Sequence, residues 1–273
     1  MAEIILGLMG GLGLFLYGMK LMSDSLEKAA GAKMRSILEF FTKTPLRGIL
    51  VGTLFTAVIQ SSSACTVMVV SFVNSGLMDL YQAAGVIMGA NIGTTVTSQL
   101  ISINLSALAP AIVMAGVIMV MASKKVKVQR TGEVLLGFGI LFMGMNTMSS
   151  AMSVLKESSQ VVDTMSSLNS HFLALLVGFA VTAVLQSSSA TVGIVLLLAN
   201  QGLLDMRICY FIIMGCNIGS CVSALLAALS GKREAKRAAM IHLLFNIIGT
   251  AIIYLCLTVA LEPINRRAES TDR

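Results

Sequence analysis

The sequence contains no Trp, only three Pro and two His, and only 12% of its 273 residues are charged. An average soluble domain carries about 25% charged residues, so this chain cannot cover itself with an ordinary water-facing surface. Hydrophobic residues make up 56% of the chain, and its mean hydropathy is +0.88. A helical membrane span needs about 20 apolar residues, so the length allows about six spans. The composition therefore predicts an all-α polytopic membrane protein surrounded mainly by membrane lipid.

Patterns for metal centres and disulfides are also missing. The five Cys include no CxxC pair. Cys216 and Cys221 are five positions apart, so they would not share a face of a continuous helix. The Cys residues are therefore interpreted as small buried side chains. This pattern predicts neither a metal centre nor a disulfide framework.

What the sequence does contain is an internal repeat. The segment TAVIQSSSACTV, residues 56–67, returns as TAVLQSSSATVG at residues 182–193, which is 126 positions later. Four consecutive polar side chains in an apolar segment are not expected twice by chance. The same shift pairs other residues without a gap, including Gly18 with Gly144, Gly52 with Gly178 and Asn91 with Asn217. We predict a first repeat at residues 1–122, a basic cytoplasmic linker at 123–132, a second repeat at 133–261 and a polar C-terminal tail at 262–273.

Each repeated motif interrupts an apolar segment whose arms are short. Gln60 to Ser63 lies between the arms Leu46–Ile59 and Ala64–Val73. Neither arm is long enough to cross a hydrocarbon core of about 30 Å. We predict that each segment forms a re-entrant hairpin, which enters and leaves the membrane on the same side, and that Gln186 to Ser189 is the tip of the second. Non-helical backbone at membrane depth must line a cavity or be buried in protein, so the tips should face a site.

A second interruption follows each hairpin. The segment Leu80–Ile103 contains GANIGTT, and the segment Arg207–Leu229 contains GCNIGSC. Their Gly and polar residues predict a helix that breaks inside the membrane. The chain begins with a predicted spanning helix, Ile4–Met22, followed by a separate amphipathic helix at the interface, Ser23–Thr44. Each repeat would then have three crossings, one re-entrant QSSS hairpin and one broken helix.

The net charge of +6 comes from basic residues that cluster in three short segments. Such clusters are typical of cytoplasmic loops under the positive-inside rule, and they argue against a nucleic-acid partner. With three crossings per repeat the second repeat is inverted, and all three clusters then lie on one face of the cell membrane. The clusters are Lys28, Lys33, Arg35, Lys43 and Arg47; Lys124, Lys125, Lys127 and Arg130; and Lys232, Arg233, Lys236 and Arg237.

Inverted repeats with discontinuous helices are the architecture of secondary transporters, which bind their substrates near the membrane midplane. We therefore expect the hairpin tips and the two breaks to converge on one pocket. Hydroxyls and amides would line it without a fixed carboxylate, which suits an oxyanion and a hard cation such as sodium. Interhelical hydrogen bonding could explain a single motif of this kind. It explains two copies at matching positions less well. The pocket would place Gln60, Ser61, Ser62, Ser63, Asn91, Thr94 and Thr95 opposite Gln186, Ser187, Ser188, Ser189, Asn217 and Ser220.

The doubled QSSS, followed by GANIGTT and GCNIGSC, resembles the type II sodium/phosphate cotransporter family from Leu6 to about Ala260. The resemblance implies sodium-driven uptake of inorganic phosphate by alternating access, with sodium as coupling ion and no other cofactor or metal. It implies phosphate binding by Gln60, Ser61, Ser62, Ser63, Asn91, Thr94, Thr95, Gln186, Ser187, Ser188, Ser189 and Asn217. It implies sodium binding by Gln60, Ser61, Thr66, Gln186, Ser187, Ser188 and Ser220.

The chain departs from the family pattern in two places. Ser220 and Cys221 stand where the first copy has two Thr, so the second half offers fewer hydroxyls. The segment Leu100–Pro110 contains no acidic residue, where some electrogenic animal members carry an Asp linked to an extra sodium site, and the sodium stoichiometry stays open. Bacterial members often continue into a PhoU-like domain, so the resemblance implies a PhoU-like regulator. A homodimer is left open.

Three other functions are compatible with the same motifs. A sodium-independent oxyanion channel would use a similar lining, and a phosphate-sensing membrane scaffold would bind without transporting. An intramembrane serine hydrolase would need a general base beside one QSSS serine, and only His171 and His242 are available. The sequence therefore favours a transporter over an enzyme.

Overall fold

The computed structural model describes residues 2–42, 44–103, 105–155 and 170–271. Every regular element in these ranges is a helix, as the composition predicted. The helices are α1 (Ala2–Phe41), α2 (Pro45–Ile59), α3 (Ser62–Ser75), α4 (Leu80–Ser102), α5 (Ala109–Ala122), α6 (Val126–Leu155), α7 (His171–Leu185), α8 (Ser188–Asn200), α9 (Met206–Gly219), α10 (Cys221–Ala228) and α11 (Arg233–Thr271).

The helix bounds follow the 126-residue shift of the sequence. Helix α2 covers residues 45–59 and α7 covers residues 171–185, so both ends are displaced by that number. Helix α3 begins at Ser62 and α8 begins at Ser188. Corresponding sequences therefore form corresponding helices in the two halves of the chain.

Helices α1 and α6 pack closely in opposite directions. A Cβ atom on Gly11 would lie 2.8 Å from the backbone nitrogen of Met148, and one on Gly18 would lie 2.6 Å from the carbonyl oxygen of Gly137. Any side chain at these positions would push the two backbones apart. Because lipid supplies no hydrophobic drive for helix association, this close van der Waals packing stabilises the pair.

Helices α2 and α4 run in the same direction. Ile49 lies against Gly89, and one turn further Thr53 lies against Gly93. After α3 the chain has therefore returned to the level at which α2 began, so α2 and α3 form a hairpin. Helices α7 and α9 repeat the arrangement, with Leu175 against Gly215.

By length and composition, four described helices could cross a membrane, over Glu3–Ala30, Val126–Ser153, Met206–Ala228 and Arg233–Val259. The sequence predicted about six. Helix α4 has 23 residues, but polar side chains in its middle make it less apolar. Helix α5 has only 14 residues, which at 1.5 Å per residue is about 21 Å.

The predicted boundary between a spanning helix and a separate amphipathic helix at Ser23 is wrong. Helix α1 continues from Ala2 to Phe41. The sequence has no Gly or Pro between positions 19 and 30, and an ion pair between Lys20 and Asp24 joins successive turns there. Nothing in this stretch stops the helix.

The predicted break at GANIGTT is also wrong, because α4 passes through residues 89–95 without interruption. The hydroxyls of Thr94 and Thr95 donate to carbonyls of their own helix, those of Ala90 and Ile92. Polar side chains satisfied in this way do not require the backbone to leave the helix. In the second copy, α9 ends at Gly219 and α10 begins after Ser220, but the Ser220 backbone stays helical, with φ of −63° and its N–H donating to the carbonyl of Cys216.

Two further predicted segments differ because the helices extend beyond their apolar residues. Most of the predicted linker 123–132 belongs to α6, which begins at Val126 and continues to Leu155. The backbone of the last helix continues through the predicted tail to Thr271. Within the predicted second repeat, residues 156–169 lie outside the described residues.

Replacing Gly18 by Val tests the α1–α6 contact. We expect a loss of about 1–3 kcal/mol in stability, because the new side chain overlaps the backbone of α6. The measurement is the Tm of the purified protein in detergent. Gly13→Val is the matched control, because a Cβ at Gly13 meets no atom within 4 Å. Equal Tm values for the two variants would contradict this packing.

Candidate binding cavity

Each QSSS motif forms the tip of a helical hairpin with the same backbone geometry. Gln60 ends α2 with φ of 61°, and Gln186 ends α7 with φ of 56°. Both are left-handed conformations, which are costly for residues other than Gly. The next residues, Ser61 and Ser187, have extended backbones and directly precede α3 and α8. Each tip is therefore a strained two-residue turn between two helices.

Side chains of the motif satisfy part of the exposed backbone at each tip. The hydroxyl oxygen of Ser61 accepts from Ala64 N at 3.1 Å, and that of Ser187 accepts from Ala190 N at 3.2 Å. These serines are N-caps. The side-chain amide of Gln60 also donates to the carbonyl of Ala57 in the last turn of α2. These bonds stabilise the backbone of the tips. The capping bonds do not use the hydroxyls of Ser62, Ser63, Ser188 and Ser189.

The structure brings the two tips together at one cavity of about 390 Å³. All eight QSSS residues line it, and the adjacent face of α1 contributes the rest of its polar wall. The lining residues are Leu16, Met19, Lys20, Ser23, Asp24, Gln60, Ser61, Ser62, Ser63, Leu185, Gln186, Ser187, Ser188, Ser189 and Ala190. We call this space the tip cavity.

The residues of the two NIG segments line a different cavity, of about 280 Å³. Asn91, Thr94, Thr95 and Asn217 are all in its wall, and Ser188 belongs to both cavities. The expectation of one common pocket is therefore wrong. Because α4 is not broken, Asn91, Thr94 and Thr95 remain in a helix that packs beside α11, and they do not line the tip cavity.

The amides in this second cavity connect α4 to α11. The side-chain nitrogen of Asn91 donates to the side-chain oxygen of Asn246 at 3.0 Å. Asn246 in turn donates to the carbonyl of His242 at 2.9 Å. The bond between Asn91 and Asn246 joins two helices, whereas the bond to His242 lies within α11.

Two predicted sodium ligands line neither cavity. Thr66 is buried in α3, and its hydroxyl donates to the carbonyl of Ser63 at 3.1 Å. Ser220 lies at the junction of α9 and α10, and its hydroxyl donates to the carbonyl of Asn217 at 2.7 Å. In this structure both hydroxyls serve the local backbone.

The expectation that no fixed carboxylate lines the pocket is wrong. Asp24 lies in the wall of the tip cavity, paired with Lys20 at 3.0 Å. The sequence did carry a signal for this pair. Both residues lie inside an apolar segment four positions apart, and an ionisable group inside a membrane helix is a candidate functional residue by default.

The two glutamines at the tips differ in whether their side-chain oxygens are paired. The side-chain oxygen of Gln186 accepts from the hydroxyl of Ser223 at 2.7 Å. At the corresponding positions of the first copy, Gln60 Oε1 and Thr97 Oγ1 are both buried and have no hydrogen-bond partner. Unpaired buried oxygens cost free energy unless something binds them. Each is an oxygen ligand of the kind that a hard cation such as sodium prefers. Thr97 lines neither cavity, and the sequence pattern did not single it out.

The geometry does not support a hydrolase. His171 stacks on Phe211 with ring centroids 4.1 Å apart, and His242 is buried in α11. Neither histidine lines the tip cavity. A serine nucleophile there would therefore have no histidine base beside it. Within the described ranges, no three His, Cys, Asp or Glu side chains are grouped to hold a metal ion.

Replacing Ser61 by Ala tests the N-cap at the first tip. We expect a loss of about 1 kcal/mol of stability, since Ala64 N would lose its acceptor. The readout is again the Tm in detergent. Ser61→Thr keeps a hydroxyl and should stay near the wild-type value, and a loss as large as that of the Ala variant would contradict the capping role.

Comparison with known proteins places the chain in one family. The Na+/Pi-cotransporter family model matches residues 14–150 and 153–267. YqeW of Bacillus subtilis strain 168 is 32% identical over 249 residues, which cover 90% of this chain and 80% of YqeW. No solved structure matches the chain.

Two further relatives have names that refer to phosphate. YjbB of Escherichia coli strain K12, whose name assigns it to inorganic phosphate export, is 27% identical over 250 residues. These cover 91% of this chain but only 46% of YjbB. Sodium-dependent phosphate transport protein 2A of Rattus norvegicus is 36% identical over 98 residues, which cover 35% of this chain and 15% of that protein. Because the family model matches most of the chain and YqeW is similar along it, the chain belongs to the Na+/Pi-cotransporter family.

Proposed function

We propose that this protein is a secondary active transporter that couples inward sodium movement to the uptake of inorganic phosphate. The observation that carries the proposal is that both QSSS tips line one polar cavity inside an otherwise apolar helical fold. Membership of a cotransporter family favours transport over catalysis. The tip cavity is the proposed binding site for both phosphate and sodium.

The start of α3 and the start of α8 suit a phosphate ion. The first N–H groups of a helix have no partner inside the helix, and the helix dipole makes this end positive. Here the two starts meet at one cavity, with the hydroxyls of Ser62, Ser63, Ser188 and Ser189 beside them. Several neutral donors can thus replace the hydration shell of an oxyanion.

Sodium needs oxygen ligands, and Gln60 at the first tip offers one. Gln60 Oε1 is buried without a partner, so a bound sodium ion would satisfy it. Thr97 Oγ1 on α4 is also buried and unpaired, although Thr97 lines neither cavity. The corresponding oxygen of Gln186 already accepts from Ser223. We infer that the stronger sodium site lies on the side of Gln60 and that any second site involves Gln186, Ser187 and Ser188.

The helix lengths support re-entrant hairpins within two inverted repeats. Helices α2, α3, α7 and α8 have 13 to 15 residues, or about 20–22 Å at 1.5 Å per residue, which is less than a membrane core of about 30 Å. We propose that residues 1–122 and 133–261 are the repeats. With the basic clusters on the cytoplasmic side of the cell membrane, the second repeat is inverted.

The proposal includes alternating access. On α1, Lys20 and Asp24 lie in the wall of the tip cavity. On α6, Phe142 and Met145, which correspond to Leu16 and Met19, line a separate cavity of about 490 Å³. We propose that the α1 side and the α6 side open alternately, so that the binding site is reached from one side of the membrane at a time.

Uptake of radiolabelled phosphate into proteoliposomes tests the transport function, with an inward sodium gradient compared to an equal potassium gradient. Accumulation that requires sodium and is inhibited by arsenate would support the proposal. Equal flux in both gradients would contradict it and favour a channel. Binding without flux would contradict it and favour a sensor.

Phosphate export is a second candidate, favoured by the name of YjbB. Loading the vesicles with phosphate and reversing the sodium gradient separates the two directions. Efflux that does not depend on either sodium gradient would support export by another mechanism. Efflux that follows an outward sodium gradient would support the symport proposal, because a symporter is reversible.

Replacing Gln60 by Gly separates the function of the first tip from its stability. Gly adopts a φ of 61° without the steric strain that a side chain causes, and this relief of strain offsets the loss of the hydrogen bond to Ala57. The Tm should therefore stay near the wild-type value. Uptake should nevertheless fall by about tenfold or more, because the proposed sodium ligand is gone. Unchanged uptake would contradict this assignment.

Replacing Ser188 by Ala should impair uptake more than replacing Ser62 by Ala, because Ser188 lines both cavities. Initial rates at several phosphate concentrations measure the effect, which we expect to be about tenfold for Ser188. Ser71→Ala is the control, since Ser71 is exposed on α3 and lines neither cavity. Wild-type rates for both cavity variants would contradict the placement of substrate at the tips.

A further inference from the structure

The only ion pair among the described residues that line the tip cavity belongs to α1, not to the QSSS motifs. Lys20 and Asp24 both lie within the apolar stretch Glu3–Ala30. Charges inside a membrane helix are costly and generally face a polar cavity or a partner. Here they face the cavity that both tips line, 3.0 Å from each other.

The charged groups of Lys20 and Asp24 are accessible to solvent, and their ion pair contributes little to stability. The Lys20 side chain is 72% exposed and the Asp24 side chain 41% exposed, so water or a ligand can reach both charged groups. An exposed pair four residues apart contributes little to helix stability. The ammonium group can therefore leave Asp24 for a stronger partner at small cost.

The other half of the chain does not have this pair. The positions 126 residues after Lys20 and Asp24 are Asn146 and Ser150, which are neutral. Asn146 donates to the carbonyl of Ser106, away from the tips, and neither residue lines the tip cavity. Among the described residues that line the tip cavity, the charged side chains therefore come from the first repeat alone.

We propose that Lys20 binds the transported oxyanion directly and that Asp24 makes the binding depend on sodium. This inference rests on the proposed function of the tip cavity and names a specificity-determining residue for it. While the pair is intact its charges cancel. When the anion binds Lys20, the carboxylate of Asp24 and the anion together leave the cavity negative. A co-bound sodium ion restores the balance, so anion and sodium bind together.

The electrostatics predict opposite effects for the two partners. In Lys20→Gln the cavity keeps only the carboxylate, which repels phosphate, so the Kd for phosphate should rise by about tenfold or more. In Asp24→Asn the ammonium remains without its competitor, so phosphate should bind more tightly and at a lower sodium concentration. The double variant K20Q/D24N should bind phosphate more tightly than Lys20→Gln alone, because it lacks the Asp24 carboxylate that repels phosphate.

Calorimetric titration of the purified full chain with inorganic phosphate, at high and at low sodium, tests the proposal. Arg237→Gln is the matched control, because it removes another exposed ion pair, with Glu234 on α11, outside the tip cavity. It should bind phosphate like wild type. Lys20→Arg keeps the positive charge and should bind much more tightly than Lys20→Gln.

A Kd that rises in Lys20→Gln and falls in Asp24→Asn would support the proposal. A shift in the same direction for both, or a wild-type Kd in Lys20→Gln, would overturn it and leave the pair a surface contact. Sodium-driven flux of the wild-type protein in vesicles tests the proposed function separately, so failure of the charge pattern with intact flux would refute only the role of Lys20 and Asp24.

Discussion

The structure depends on the requirement that backbone polar groups be satisfied inside an apolar fold. In lipid each unsatisfied N–H or C=O group costs several kcal/mol, so a chain leaves the helix only where polar groups replace water. The two QSSS tips are such places. Their caps satisfy some backbone groups, and the residues of both tips line a shared cavity. The local breaks in the helices therefore lie at the candidate binding site.

Close helix packing sets the position of these tips. Helix α2 lies against α4 and α7 lies against α9 through glycines, which bring the helix axes together without side chains between them. The contact fixes how far each hairpin extends along its neighbour. The same contacts occur in both halves, and both tips line the same cavity. The glycines that make these contacts lie outside the cavity wall.

Repetition provides the scaffold, and the differences between the copies provide the chemistry. The side-chain oxygen of Gln186 accepts from Ser223, whereas Gln60 Oε1 and Thr97 Oγ1 have no partner. Lys20 and Asp24 have only neutral counterparts. A fully symmetric cavity would offer the same neutral hydroxyls twice. Unequal copies allow one cavity to treat a cation and an anion differently.

The sequence by itself determined the helical class, the 126-residue repeat and the tips, because these follow from composition and from polar residues in short apolar arms. It could not determine whether α4 breaks, because Gly and Thr are compatible with a helix whenever the hydroxyls bond to their own carbonyls. Only the tertiary structure separated Asn91 and Asn217 from the tips and added Lys20 and Asp24 to them. Which side chains share a cavity depends on contacts between helices distant in the chain, and local pattern does not encode those distances.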